Sequence, residues 1–131
     1  MHVSLDGYIE GSNGDMSWIS PDDDQQWNEL FAFLENVDVL VLGGGMWASY
    51  RDHWKKALTE PGFELNEVKY AKLATKMRHL VFSNTITDSG WENATVISGN
   101  VVAEMKRIKE QPGKNIQLVG GSKFAASLLR D

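Results

Sequence analysis

Apolar residues recur along the chain in two alternating patterns, which are short continuous runs and runs spaced three or four residues apart. A continuous run fits a buried strand, and a spaced run fits a helix with one buried face. The strand-like runs cover residues 2–5, 37–42, 79–82, 91–99 and 116–119, and the helical runs cover residues 20–34, 46–50, 64–76, 100–108 and 124–129. Strands alternate with helices, so the pattern predicts an α/β fold around a largely parallel sheet.

The first helical run carries a start motif at its amino end. Ser20 is a capping residue, Pro21 suits the first helical position, and carboxylates at Asp22–Asp24 suit the first turn. Three consecutive aspartates lack the alternating ligands and the closing glutamate of a calcium loop. We therefore predict a helix start here and no metal site. The segment 51–62 has no clear period and is predicted to be a loop.

Two strand-like runs end in glycines that lead directly into a helical run. Gly43-Gly44-Gly45 precedes Met46, and Gly120-Gly121 precedes Ser122 and Lys123. Glycine permits backbone dihedrals closed to other residues, and the first turn of a helix presents unpaired N–H donors and a positive dipole end. Such a junction can hold a phosphate or pyrophosphate. A tight turn that binds nothing fits the same residues.

Further polar residues follow the strand-like run at 79–82. Ser83, Asn84 and Thr85 offer two hydroxyls and an amide. The ligands of parallel sheets gather at the carboxyl ends of the strands, so these side chains are expected beside the two glycine turns. The polar, glycine-rich segment 10–15 leads to Trp18, and it fits either a lid over a site or an ordinary surface connection.

Composition limits the classes of protein. The chain has 131 residues, 42% hydrophobic and 24% charged, which is enough for one core, so residues 1–131 are predicted to form a single domain. A net charge of −5 argues against nucleic acid or a membrane surface as a partner. There is no cysteine, and the three histidines are scattered along the chain, so no metal cluster is predicted. The amino-terminal residues lack the pattern of a secretory signal, and no apolar run is long enough to span a membrane, which predicts a cytoplasmic protein.

Five short motifs occur in the order seen in dihydrofolate-reductase-like proteins. The chain resembles in particular the reductase domain of bifunctional riboflavin-biosynthesis deaminase-reductases and their stand-alone relatives. The motifs are Ser4–Ile9, Asp15–Ile19, Leu42–Gly43, Val81–Thr85 and Val119–Gly121. The resemblance implies a three-layer α/β fold with a mainly parallel central sheet, an NADPH cleft and a homodimer.

The resemblance also implies roles for individual residues. Contacts to the cofactor pyrophosphate fall on Gly120, Gly121, Ser122 and Lys123, and contacts to the adenosine 2′-phosphate fall on Ser83, Asn84 and Thr85. Ser4 and Trp18 match residues beside the nicotinamide and substrate. Asp6 is a candidate to orient or protonate the substrate, and Asp23 matches the carboxylate that holds the pterin in dihydrofolate reductases proper.

The chain departs from its relatives at the first glycine turn. Relatives carry Gly-Arg-x-Thr there, where this chain has Gly43-Gly44-Gly45-Met46. Loss of a charge-assisted phosphate contact is worth roughly 1.5–3 kcal/mol. A backbone nest formed by the glycines, or a charge from Lys123 or Arg51, could offset that loss. Preference between NADPH and NADH therefore stays open.

The second departure concerns the carboxyl-terminal end. Relatives continue beyond the second glycine turn into a strand and a hairpin that complete the sheet, whereas the sequence stops at Asp131. Without that hairpin, we expect either a truncated chain or a partner chain that covers an exposed sheet edge.

Three functions follow from these patterns. The first is an NADPH-dependent reductase of a pyrimidine- or pterin-like small molecule, typified by 5-amino-6-(5-phosphoribosylamino)uracil in riboflavin biosynthesis. The second is a dihydrofolate-reductase-type activity that uses Asp23. The third is a nucleotide-binding relative without turnover, favoured by the missing arginine and threonine.

Overall fold

The computed structural model describes residues 4–15, 17–18 and 23–129. Four parallel strands form one sheet in the order β3-β2-β1-β4, so the predicted α/β fold with a parallel sheet is confirmed for these residues. The strands are β1 (Val37–Gly43), β2 (Arg78–Phe82), β3 (Ala94–Ile97) and β4 (Asn115–Gly120). The helices are α1 (Asp24–Leu34), α2 (Gly44–Thr59), α3 (Leu65–Ala74), α4 (Val101–Lys109) and α5 (Ser122–Leu129), and a short 3₁₀ turn covers Ser12–Gly14.

The helices cover both faces of the sheet, which gives the expected three layers. Successive strand residues point to opposite faces. Leu40 and Leu42 of β1 join the core under α1, α2 and α3, whereas Val39 and Val41 join a second core under α4 and α5. Both faces of β1 are therefore apolar, as in a central parallel strand.

The two ends of the sheet differ from its centre. β1 is buried at every position but one, whereas β4 has β1 as its single partner among the described residues and none of its own residues is buried. Val41 pairs with Leu118 and Leu42 pairs with Gly120, so Val119 is an extra residue in β4. Such an irregularity bends a strand and re-aims the residues that follow it. Gly120 and the start of α5 are set by this bulge.

One predicted loop is a helix. Residues 51–59, predicted as part of a loop, continue α2 to Thr59. Trp47, Tyr50, Trp54 and Ala57 fall on one face, and Trp47, Tyr50 and Ala57 are buried. The charged residues between them lie on the solvent side, which masked the helical period in the sequence.

The amino-terminal predictions have mixed outcomes. The predicted strand at 2–5 is wrong at its described end, because Ser4 and Leu5 lie in a turn closed by a 2.9 Å hydrogen bond from Gly7 N to Ser4 O. Asp23 was predicted in the first turn of the helix but is its cap, because Asp23 Oδ1 accepts a 2.9 Å bond from Gln26 N and α1 begins at Asp24. Residues 1–3, Ser20, Pro21 and Asp22, which carried the other predictions, lie outside the described residues.

Capping at α4 agrees with the sequence. Asn100 Oδ1 accepts a 3.0 Å hydrogen bond from Ala103 N, as the sequence predicts for a helix start at this asparagine. None of the described helices combines the length and the apolar character needed to cross a membrane.

Candidate functional site

Three turns meet at the carboxyl edge of the sheet. β1, β2 and β4 are parallel neighbours, so their carboxyl ends, Gly43, Phe82 and Gly120, lie on one side. Close contacts join the segments that follow. A Cβ built on Gly44 would lie 2.6 Å from Ser83 Oγ, and one built on Gly120 would lie 2.9 Å from Met46 Sδ. The structure thus brings together the glycine and hydroxyl residues that the sequence placed at strand ends.

Gly43 and Gly44 are glycines because neighbouring side chains leave no room for a Cβ atom. A Cβ on Gly43 would lie 2.8 Å from Phe124 Cβ, and one on Gly44 would lie 2.7 Å from Ser83 Cβ. Gly43 has φ −79 and ψ 147, which any residue adopts, and Gly44 begins α2. In this chain, a side chain at position 44 would collide with Ser83 unless the segment after β2 shifted.

The turn between β4 and α5 needs glycine because of its backbone conformation. Gly121 has φ +99, in the left-handed region where residues with a Cβ are strained. Ala125 N donates a 2.8 Å hydrogen bond to Gly121 O, which starts α5. The N–H groups of the first turn, including those of Ser122 and Lys123, have no intrahelical acceptor. The turn presents donors and a positive dipole end, as an anion cradle requires.

The polar residues after β2 are held by local hydrogen bonds. Ser83 Oγ accepts from Thr85 N at 3.2 Å and from Ile86 N at 3.1 Å. Asn84 Oδ1 accepts from Gly99 N at 3.0 Å, which ties the end of β2 to the segment after β3. No hydrogen bond within the described part of the chain uses the Asn84 amide N–H groups. These bonds fix the segment while leaving donors for a phosphate.

The amino-terminal segment forms a cleft next to the second glycine turn. The cleft has a volume of about 470 Å³ and is open to solvent, since all of its lining residues except Ser4 are exposed. Ser4 Oγ donates a 2.6 Å hydrogen bond to Asp6 Oδ1, and Glu10 Oε1 accepts a 3.0 Å hydrogen bond from Ser122 Oγ of α5. Its lining residues are Ser4, Asp6, Tyr8, Glu10, Gly11, Ser12 and Trp18.

The same segment is folded on itself by local bonds. Gly11 N donates to Asp15 O at 2.7 Å, and Ser17 N donates to Asp15 Oδ1 at 2.9 Å. The Ser17 hydrogen bonds lower the pKa of the exposed Asp15 carboxyl. The polar loop is thus a compact segment held by its own hydrogen bonds, and both the lid and the surface connection remain compatible with it.

The candidate carboxylates are separated. Asp6 lines the amino-terminal cleft together with Ser4 and Trp18. Asp23 does not line that cleft, and its carboxylate serves as the cap of α1. Asp24 also holds a helix, because it accepts a 2.9 Å bond from Asn66 Nδ2 of α3. The geometry favours Asp6 over Asp23 beside a substrate in this cleft.

Positive charge near the glycine turns is sparse. Lys123 is exposed in the first turn of α5. Arg51, the other candidate to replace the lost charge, bonds Asp52 Oδ1 at 2.8 Å and Ser89 O at 3.3 Å. The hydrogen bond that Arg51 donates to Asp52 is the main cause of the raised pKa of Arg51. Lys123 is therefore better suited to meet a phosphate.

A second cleft lies at the opposite edge of the sheet. It has a volume of about 510 Å³ and contains Asp38, Arg78 and Lys114, which stand at the amino ends of the strands. Asp38 Oδ2 accepts a 2.9 Å hydrogen bond from Lys114 N, so the carboxylate fastens the connection before β4. Ligands of parallel sheets bind at the carboxyl ends of the strands, so this cleft lies at the edge of the sheet where a ligand is less expected.

A buried polar cluster supports the first glycine turn. His79 Nδ1 donates to Met77 O at 2.9 Å, because a carbonyl can only accept. Its Nε2 then accepts from Tyr50 O–H at 3.2 Å, and Tyr50 accepts from Tyr70 O–H at 3.1 Å. Burial lowers the pKa of His79 and raises the pKa values of Tyr50 and Tyr70. Trp47 packs on this neutral histidine, with ring centroids 5.7 Å apart.

The described residues contain no group of three or more histidine, cysteine or acidic side chains placed to hold a metal.

Sequence reasoning missed two features of this region. Glu10 appeared only as part of a polar loop, and its partner Ser122 lies 112 positions away, where no local pattern could reveal the contact. His79 was set aside as a scattered histidine, and its partners are Tyr50 of α2 and the Met77 carbonyl.

A three-layer α/β fold with glycine turns and hydroxyls at the carboxyl edge of its sheet is consistent with a dihydrofolate-reductase-like domain. A model of the RibD C-terminal domain family matches residues 1–131, and the chain belongs to this family. The family is of reductase type and is associated with riboflavin biosynthesis.

Two Bacillus subtilis (strain 168) proteins are similar to the chain. The uncharacterized protein YyaP is 29% identical over 127 residues, which cover 97% of this chain and 63% of YyaP. The uncharacterized protein YwjB is 26% identical over 129 residues, which cover 98% of this chain and 66% of YwjB. The chain thus spans somewhat less than two thirds of the length of these relatives.

Proposed function

We propose that the chain is a reductase domain that binds NADPH across the glycine turns and reduces a pyrimidine- or pterin-like small molecule. The observation that carries this proposal is the meeting of three strand ends, with Gly121 in the left-handed region and Ser122 beside it. When bound, the nicotinamide supplies the hydride, and the protein supplies position and exclusion of water.

The residues present fit such a cofactor. The backbone N–H groups after Gly121, the Ser122 hydroxyl and the Lys123 ammonium suit a pyrophosphate. Ser83, Asn84 and Thr85 offer hydroxyl and amide donors to the adenosine end. A Cβ on Gly120 would lie 2.9 Å from Met46 Sδ, so Met46 fills the side of Gly120 that a side chain would occupy.

The cleft beside α5 is the proposed substrate site. The cleft is linked to the β4–α5 turn through Glu10. It also contains Asp6 hydrogen-bonded to Ser4, and this polar pair can orient an amide or amine group of a heterocycle. A 5-amino-6-(5-phosphoribosylamino)uracil-type substrate carries such groups, and so do pterins. We propose the former class, because Asp23 caps α1 and does not line this cleft.

A second candidate is nucleotide binding without turnover. The observation that favours it is the collision at position 44, which leaves no room for the arginine found in relatives, together with Met46 in place of a hydroxyl. Hydride transfer to any acceptor in this substrate class would exclude it.

Binding of NADPH and of NADH, followed by energy transfer from tryptophan to the nicotinamide, tests the proposal. We expect NADPH to bind in the micromolar range and more tightly than NADH. Lys123→Gln should weaken NADPH binding about three- to tenfold, as for a partly exposed charge–phosphate contact. Lys109→Gln removes the same charge at the opposite edge of the sheet and should leave binding unchanged. Failure of both nucleotides to bind would contradict the proposal.

A further inference from the structure

We propose that the Glu10 carboxylate occupies the phosphate position of the β4–α5 turn in the free protein and must leave before a cofactor phosphate can bind. Glu10 would then set the affinity of the turn for the cofactor and couple binding to movement of the amino-terminal segment. The inference rests on the proposed function, because it takes the cofactor to be a nucleotide with a pyrophosphate.

In the contact between Glu10 and Ser122, a carboxylate of the protein itself takes the place of a bound anion. Ser122 Oγ donates to Glu10 Oε1 at 3.0 Å, and Ser122 is the first residue of α5 directly after Gly121. Carboxylate and phosphate oxygens are both anionic acceptors, and both are favoured at the amino end of a helix. The carboxylate of Glu10 therefore accepts from the hydroxyl that a phosphate oxygen at this turn would use.

The two anions exclude each other. A serine hydroxyl has one proton and cannot donate it to a carboxylate and a phosphate at once. Two negative charges within a few ångströms also repel, and salt screens this repulsion only in part. Cofactor binding therefore requires Glu10 to release Ser122.

Release of Glu10 would remove a described link between the amino-terminal segment and α5. Within the described ranges, the Glu10–Ser122 bond is the one hydrogen bond that joins residues 4–18 to the rest of the protein. The other bonds of the segment are internal, such as Gly11 N to Asp15 O, so the segment can shift as a unit. Asp6 and Trp18 line the cleft, so the shape of the cleft would change when a cofactor phosphate binds at the β4–α5 turn.

Three variants of Glu10 separate the parts of this contact. Glu10→Ala removes the carboxylate, Glu10→Asp keeps the charge but shortens the reach, and Glu10→Gln keeps an acceptor without the charge. We expect NADPH to bind about two- to fivefold more tightly to Glu10→Ala and Glu10→Asp, the range for an exposed charged contact. Glu10→Gln should fall between these variants and the wild type. Glu60→Gln, an exposed carboxylate at the end of α2, is the control for net charge.

Hydrogen exchange without cofactor gives a readout that does not depend on nucleotide binding. Residues 4–18 should exchange faster in Glu10→Ala than in the wild type or Glu60→Gln. Unchanged exchange, or equal or weaker NADPH binding by Glu10→Ala and Glu10→Asp, would overturn the inference. A wild type that binds neither nucleotide contradicts the proposed function instead, and the exchange experiment still decides whether Glu10 holds the segment.

Discussion

The two glycine turns look alike in sequence and differ in structure. At the β1–α2 turn, Gly43 and Gly44 have ordinary backbone angles, and the space for a Cβ is filled by Phe124 and Ser83. At the β4–α5 turn, Gly121 has φ +99 and its nearest neighbour to a built Cβ is Phe124 Cβ at 3.5 Å. The first turn needs glycine for space, and the second needs it for conformation.

The two turns also differ in how deeply their neighbouring strands and helices are buried. The β1–α2 turn lies between a buried strand and Trp47, which is 1% exposed. The β4–α5 turn follows an edge strand and leads into a helix without buried residues. A packed turn suits a scaffold, whereas a less buried turn can take part in ligand exchange. If the proposed cofactor binds, we therefore expect the β4–α5 turn to respond to it more than the β1–α2 turn does.

The largest expected difference between the turns is in backbone opening. Amides in the centre of β1 should exchange only by global unfolding, about 5–15 kcal/mol, whereas those of α5 should open at a small fraction of that free energy. Native-state hydrogen exchange in low denaturant measures both. Equal protection of β1 and α5 would contradict the contrast drawn here.

Gly44→Ala tests the requirement for space. The new methyl group would press on Ser83 Cβ and Oγ, so we expect a loss of about 1–3 kcal/mol in unfolding free energy. Gly45→Ala is the matched neighbour, because nothing lies within 4 Å of its built Cβ, and it should gain about 0.4–1 kcal/mol. Denaturant unfolding compares the two variants, and similar changes in both would remove the steric explanation.

Gly121→Ala tests the requirement for conformation. A Cβ in the left-handed region costs about 1–2 kcal/mol, although there is room for it here. Gly121→Asn should lose less stability, because asparagine tolerates this region better. If alanine and asparagine had the same effect on the unfolding free energy, strain at φ +99 would not be the reason for the glycine.

Lowering the pH should reduce the free energy of unfolding, because His79 is buried in the core beneath α2. Burial lowers its pKa, so the folded protein keeps it neutral while the unfolded chain takes a proton near pH 6.5. Stability is then lost as pH falls below about 6.5, by about 1 kcal/mol between pH 7.5 and 5.5. Unfolding at the two pH values measures this loss, and His79→Gln should reduce it. An equal pH dependence in the variant would exclude His79 as its source.

Much of the fold could be predicted because its elements carry local patterns. The runs at 37–42 and 79–82 became β1 and β2, and Asn100 caps α4 as predicted. The segment 51–59 was misjudged because Trp47, Tyr50, Trp54 and Ala57 were separated by charged residues, and only packing against the sheet shows that they form one face. The glycine turns were found from sequence, but the reason for each glycine was not.

The sequence by itself determined the alternation of strands and helices, the helix cap at Asn100, the glycines and hydroxyls at strand ends, and the family. These depend on residues close together along the chain, where periodicity and backbone preferences act. Only the tertiary structure decided the strand order β3-β2-β1-β4, the collision that excludes a side chain at Gly44, and the bond between Glu10 and Ser122. Those features depend on residues far apart in sequence, and packing of the whole domain brings them into contact.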